Sequence, residues 1–311
     1  MKSSPESAPS GQQWTIRWNG GFGASCATVV EVGGGLRECV LAGLAVLDPF
    51  PRNAICDGAH NMPLIPWPNR IRDGRYSFDG SDYQLTLTEP ALHNAIHGFL
   101  RWRNWAMRER EENRIVVATV LHPQPGYPFT LDIAVAYTLD EKGLTTRITA
   151  TNLGDKACPY GCGQHPYLTC GTETIDSLGL ELNAAKWLPT DEQQIPTGAE
   201  AVAGSSCDFR SGRVIGAQQL DCAFTDLARD AKGRAWAHVT SPEGRRLSLW
   251  VDEHFRYLQI YTGDTLDPSR RRRGLAVEPM TCAPNGFVSG DGLIRLEPGE
   301  SVTIAWGLAV G

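Results

Sequence analysis

The segment FTLDIAVAYTL, residues 129–139, sets Phe129, Leu131, Ile133, Val135, Tyr137 and Leu139 on one face of an extended chain. A period of two is the signature of a half-buried strand and cannot form the apolar stripe of a helix. The same texture recurs in RIVVATVL, GLTTRITATN, RRLSLWVD, RYLQIYTG and SVTIAWGLAV. YSFDGSDYQLTL reads as two strands joined by a tight turn at Asp79-Gly80. The 20 prolines and 33 glycines cut the chain into short pieces, each ending at turn residues. Helical periodicity is scarce, and its best candidate is AQQLDCAFTDLARD, residues 217–230, read as a turn of helix or a loop. Many short strands with little helix between them predict an all-β fold, a large antiparallel β-sandwich. Without a repeat or a break in composition, residues 14–311 are expected to form a single domain behind a disordered tail over 1–13.

Charge and cysteine usage narrow the function classes. A net charge of −6 argues against non-specific binding to nucleic acid, which needs a positive surface. No stretch is apolar enough to span a bilayer, so no membrane partner is expected. The N-terminal MKSSPESAPSGQQ lacks the apolar segment of a secretory signal. Nine cysteines without a disulfide-framework spacing fit a reducing, cytoplasmic setting. The run Arg270–Arg273 is read as a solvated loop, with a local anion site as the alternative.

Four clusters crowd polar residues among strand-ending glycines and prolines: PLIPWPNRIRDG with Asn69 and Arg70, HNAIHGFLRW with His93 and His97, GCGQHPYLTC with His165, and LAVEPMTCAPNGF with Glu278. His165 and Glu278 each precede a proline, which narrows their backbone and where their side chains point. Cys158, Cys162, His165 and Cys170 offer zinc-type ligands, but without the paired CxxC spacing of a zinc site; Asn94 takes the glutamate position of HExxH between His93 and His97. No GxSxG elbow or P-loop is present. General acid/base work by histidine and carboxylate remains, suited to a neutral polyol such as a sugar, with no metal expected. Trp67, Trp102 and Trp105 are candidates for stacking on a sugar, with core packing expected for at least two of them. His93 is expected to close a strand end, and His122, His238 and His254 carry no expected function.

PWPNRIRDGRYSFDGSDYQL, NAIHGFLR, GCGQHPYL, LQIYTGD and EPMTCAPNGF, in this order, resemble the aldose 1-epimerase (galactose mutarotase-like) family. The likeness runs from about Asn61 to the C-terminus and implies a β-sandwich with a sugar cleft on one sheet and neither metal nor organic cofactor. It implies His165 as catalytic acid and Glu278 as catalytic base. Arg70 and His97 match residues that hold sugar hydroxyls and the ring oxygen, Asp221 one that binds hydroxyls far from C1, and Gln259 one that lines the cleft. Asn69, beside Arg70, is a further substrate-binding candidate. Alternation in RYLQIYTG independently puts Tyr257, Gln259 and Tyr261 on one strand face and Leu258 and Ile260 on the other. Gly-Gln-His-Pro-Tyr around the acid differs from the Thr-Asn-His-Tyr-Phe type of the better-known galactose mutarotases and resembles a divergent bacterial branch.

The expected activity is exchange of α and β anomers of a monosaccharide by ring opening and closure, in a monomer or weak homodimer. Two alternatives stand beside it. One is an epimerase of an anionic sugar, its anion site supplied by Arg72, Arg101 or the arginine run. The other is a non-catalytic carbohydrate-binding or sensor protein, which has no need of a matched acid/base pair.

Overall fold

In a computed structural model of the chain, residues 8–20 and 23–311 are described. Two large antiparallel sheets dominate. The first has nine strands, in the order Ala106–Arg110, Arg114–Leu121, Leu131–Asp140, Gly143–Asn152, Ser301–Val310, Arg246–Val251, Ala235–Thr240, Gly179–Leu182 and Arg213–Val214. Residues 131–139 alternate as the sequence predicts: Leu131, Ile133, Val135, Tyr137 and Leu139 are fully buried and the residues between them partly exposed. One face of this sheet therefore closes the core while the other meets solvent.

The second sheet carries the polar clusters. Its strands run Glu200–Ala201, Ala184–Leu188, Asp221–Leu227, Tyr257–Tyr261, Leu275–Met280, Gly163–Gln164 and Pro63–Leu64, with Tyr167–Leu168 also pairing with Leu275–Met280. Every residue of Leu275–Met280 is buried. Leu275 and Val277 face the main core together with Leu258, Ile260, Cys222 and Phe224, whereas Glu278 lies on the opposite face, roofed by loops. The main cluster draws apolar side chains from Trp14 to Leu308, so both sheets and the four-stranded sheet that begins at Gln13 share one core. The hairpin at Asp79-Gly80 forms between Arg75–Phe78 and Ser81–Gln84.

Three expectations are corrected. AQQLDCAFTDLARD is not helical: its centre is the strand Asp221–Leu227, paired on both sides. Cys222, Ala223 and Phe224 are all buried, because the strand is covered on both faces, and such burial erases the alternation that marks a strand. Of the expected tail, residues 1–7 lie outside the described residues, but 8–13 are ordered, with Ser10 buried and Gln13 opening a strand. The arginine run is not merely solvated. Arg270 donates to the buried Asp48 at 2.8 Å and Arg272 to the exposed Asp176 and the half-buried Asp264, which bind the run to the body of the protein.

Candidate active site

Strand register brings His165 and Glu278 together. Gly163 pairs with Met280 and Tyr167 with Ala276, on either side of the interruption at His165-Pro166. Two residues inward from each of these pairs, His165 stands opposite Glu278. Pro166 has no N–H to give the ladder, so the strand breaks here and His165 is released toward the cleft. On the other flank Gln259 is the register partner of Glu278 and Ala223 that of Gln259. Residues from four distant stretches thus form one row across the sheet.

His165 Nε2 lies 3.2 Å from Glu278 Oε1, and both side chains are almost wholly buried. His165 Nδ1 and Glu278 Oε2 have no hydrogen-bond partner among the described residues. Burial pushes the imidazole well below its ordinary value and the carboxyl well above its own, so each favours its neutral form. Moving one proton across the contact from Glu278 to His165 gives imidazolium and carboxylate with the proton count unchanged. The pair therefore holds one proton to give and one site to receive.

His97 is placed by a short ribbon in which Arg70–Arg72 pairs with Asn94–Ile96. Asn69 and His97, at the ends of that ribbon, both have left-handed backbone, φ 55° and 62°. The backbone N–H of Asn69 donates to His97 Nδ1 at 3.1 Å, and that of His97 donates to Asn69 O at 2.9 Å. With Nδ1 accepting, neutral His97 carries its hydrogen on Nε2 and offers a donor to the cleft. Burial also lowers its pKa, in agreement with a neutral ring. Asn69 itself is buried, its Oδ1 taken by the Arg70 N–H, so it holds the turn as well as lining the cleft.

His97, His165 and Glu278 each place a ligand-type atom within 4.8 Å of the others. A metal on His97 Nε2 would need the hydrogen on Nδ1, against the Asn69 N–H, so the donor set does not suit an ion. Cys158, Cys162 and Cys170 are buried free thiols, and none joins His165 in a metal-type cluster among the described residues.

Arg70 is clamped by Glu89 through two bonds, Nε to Oε2 at 2.8 Å and Nη2 to Oε1 at 2.9 Å. Its Nη1 faces Asp221 Oδ2 at 3.7 Å. Gln259 Nε2 donates to Asp221 Oδ1 at 2.6 Å while Gln259 Oε1 is buried without a partner among the described residues. Burial raises the Asp221 pKa, against the pull of Arg70 and Gln259. These groups bound a cleft of about 300 Å³, within reach of a monosaccharide, walled also by Tyr261, Trp102 and Tyr167. A larger recess of about 610 Å³ lies beyond Asp48, lined by Glu173, Arg271 and Arg273, but none of the acid/base residues faces it.

The model of the family described as aldose 1-epimerase matches residues 15–307. This chain belongs to the aldose 1-epimerase family. A family member from Escherichia coli K12, itself an aldose 1-epimerase, is 30% identical over 316 residues, covering 89% of each chain. The uncharacterized protein YihR of the same organism is 36% identical over 275 residues, covering 88% of this chain and 86% of that one. In fold, the GalM/aldose epimerase homologue from C. elegans superposes with a TM-score of 0.84 at 19% identity, over 96% of this chain and 99% of its own.

All seven site residues singled out from the sequence of this epimerase-family chain, His165, Glu278, Arg70, His97, Asp221, Gln259 and Asn69, converge on the one cleft or its floor. Trp67 and Trp105 are core residues, while Trp102 is 57% exposed at the cleft rim. His93 is exposed at a turn and bonded to Asp73. Sequence reasoning missed Glu89, the clamp on Arg70, and Tyr167 with His60 behind His165. The only local hint of these was the placement of Tyr167 two residues after His165.

Proposed function

We propose that this protein is a mutarotase, interconverting the α and β anomers of an aldose, with Glu278 as base and His165 as acid. The observation that carries this reading is the 3.2 Å contact between two buried groups of matched proton inventory. The C1 hydroxyl oxygen and the ring oxygen are bonded to the same carbon, so the groups that serve them must lie side by side. Glu278 as carboxylate removes the C1 hydroxyl proton while His165 as imidazolium protonates the ring oxygen. The C1–ring oxygen bond breaks and C1 becomes an aldehyde. Rotation about C1–C2 presents the other face, and the reverse transfers close the opposite anomer. Assistance of this kind is worth about 10²–10⁴ in rate per group. His97 Nε2–H, Arg70 and Asp221 hold the sugar oxygens, with Arg70 kept in place by Glu89. A pure binding protein would gain nothing from burying an acid/base pair at a cost in stability.

One observation favours an aldose that carries an anionic group. Of the arginines that might supply an anion site, Arg72 is taken by Asp191 and Gln193, Arg270 and Arg273 by Asp48, and Arg272 by Asp176 and Asp264, while Arg271 donates to Leu266 O and lies outside the cleft. Arg101 alone lines the cleft without a carboxylate partner among the described residues: its Nε is buried and unpaired, and its Nη2 reaches only Ile96 O at 3.5 Å. Burial lowers its pKa, the mark of a cation short of compensation. Saturation-exchange NMR on matched neutral and 6-phosphorylated or 6-sulfonated aldoses tests both readings. Faster exchange of the anionic sugars, with the preference lost in Arg101→Gln, supports the anionic substrate; equal rates leave the neutral aldose; no exchange with any sugar removes the enzyme reading.

A further inference from the structure

We propose that Asp48, His60 and Tyr167 form a buried positioning stack that fixes the imidazole of His165 and keeps a positive charge behind it, holding the shared proton on the Glu278 side until substrate binds. The proposal rests on the acid/base reading above.

No group among the described residues bonds to His165 Nδ1, so the orientation of the ring is set by what packs against its face. A catalytic imidazole is ordinarily aimed by a hydrogen bond at its second nitrogen. Here the ring lies instead against Tyr167, with centroids 4.8 Å apart and planes 13° from parallel. Tyr167 in turn lies against His60 at 3.8 Å and 10°. Three rings are thus layered, His165 in the contact with Glu278 and Tyr167 and His60 behind it. Tyr167 is pinned at both ends: its N–H donates to Asn61 Oδ1 at 3.0 Å and its hydroxyl to Gly58 O at 3.0 Å. Asn61 also donates its backbone N–H to His165 O at 2.9 Å and its Nδ2–H to Asp48 O at 3.2 Å. One buried amide thereby ties all three segments together.

His60 is fully buried, and both ring nitrogens face oxygens: Nδ1 meets Asp57 O at 2.9 Å and Nε2 meets Asp48 Oδ2 at 3.1 Å. A carbonyl oxygen only accepts. Asp48 is 2% exposed, yet the bond from His60 and the charge of Arg270 outweigh its burial and hold its carboxyl below the ordinary range. It too only accepts, so both bonds exist together when the ring carries a hydrogen on each nitrogen. The arginine run supplies the back wall of this arrangement, with Arg270 at 2.8 Å and Arg273 at 3.5 Å from Asp48. The groups facing His165 are Glu278 and His97 in the cleft, Arg101 at its side and Tyr167 with His60 behind. A cation two rings away disfavours a second hydrogen on His165, which leaves that hydrogen with Glu278.

The test combines a spectrum and a pH profile. In protein labelled with ¹⁵N-histidine, His60 is expected to show two N–H-type ring nitrogens, while His165 and His97 show neutral rings. In His60→Gln, and in His60→Phe as a second variant that keeps a ring against Tyr167, the His165 ring is expected to titrate about 0.5 pH unit or more higher, and the acid limb of kcat/KM to move with it. KM is expected to change less than about 2-fold, because His60 does not line the cleft. A neutral pattern for His60 in the wild-type protein overturns the proposal without any variant, and so does an unmoved His165 titration in a folded His60→Gln. The ring titrations need no substrate, so a wild-type protein inactive on every aldose would sink the mutarotase reading while still reporting on the stack.

Discussion

His165 and Glu278 sit in register across one antiparallel strand pair, and their side chains meet at 3.2 Å with almost no solvent contact. The contact makes the two groups a single proton-holding unit whose working form carries two protons.

A bell-shaped pH profile is therefore expected for anomer exchange. Uptake of a third proton requires charging His165, which burial resists, so the acid limb of kcat/KM lies below the ordinary imidazole value of 6.5. The alkaline limb reports loss of a proton from the pair and lies above the ordinary carboxyl value of 4.5, where burial has raised Glu278. Rates measured from pH 4 to 9 by polarimetry, corrected for the uncatalysed reaction, check both limits.

The same burial makes Glu278 a cost to stability. Its folded-state pKa is raised, so stability is fully present below 4.5 and is lost as pH rises toward the folded value. Glu278→Gln keeps the shape and removes the ionisable group. It is expected to be more stable than wild type by about 1–3 kcal/mol at pH 8, with the gap closing near pH 4. Thermal melts of the two proteins at both pH values measure this; equal melting at pH 8 would show that the buried carboxyl carries no penalty.

Gly98, the residue after His97, has φ 66°, and a Cβ there would lie 2.0 Å from Ile65 O. Gly98→Ala is expected to cost about 2–4 kcal/mol and to displace His97, lowering kcat/KM as well as the melting temperature. A soluble Gly98→Ala with wild-type melting and kinetics would mean that the ribbon is not as tightly packed as described.

Most of this geometry was legible where the sequence pattern is local. Leu131–Asp140 alternates because one face is solvated, and the short motifs around His165 and Glu278 signal themselves by proline and glycine. Asp221–Leu227 does not read as a strand because burial on both faces removes the alternation. The partners of the arginine run, Asp48, Asp176 and Asp264, carry no sequence mark of their proximity. Glu89 reaches Arg70 across 19 residues, and the stacking of His60 on Tyr167 joins segments 107 apart, so both become visible only once the sheet register is known.

The most direct test is exchange between anomers of the preferred aldose by wild type, Glu278→Gln and His165→Ala, each shown folded by circular dichroism. The account expects wild-type acceleration that falls by about 10²–10⁴ in each variant. Exchange at the wild-type rate in either folded variant would remove that residue from the chemistry and contradict the central claim.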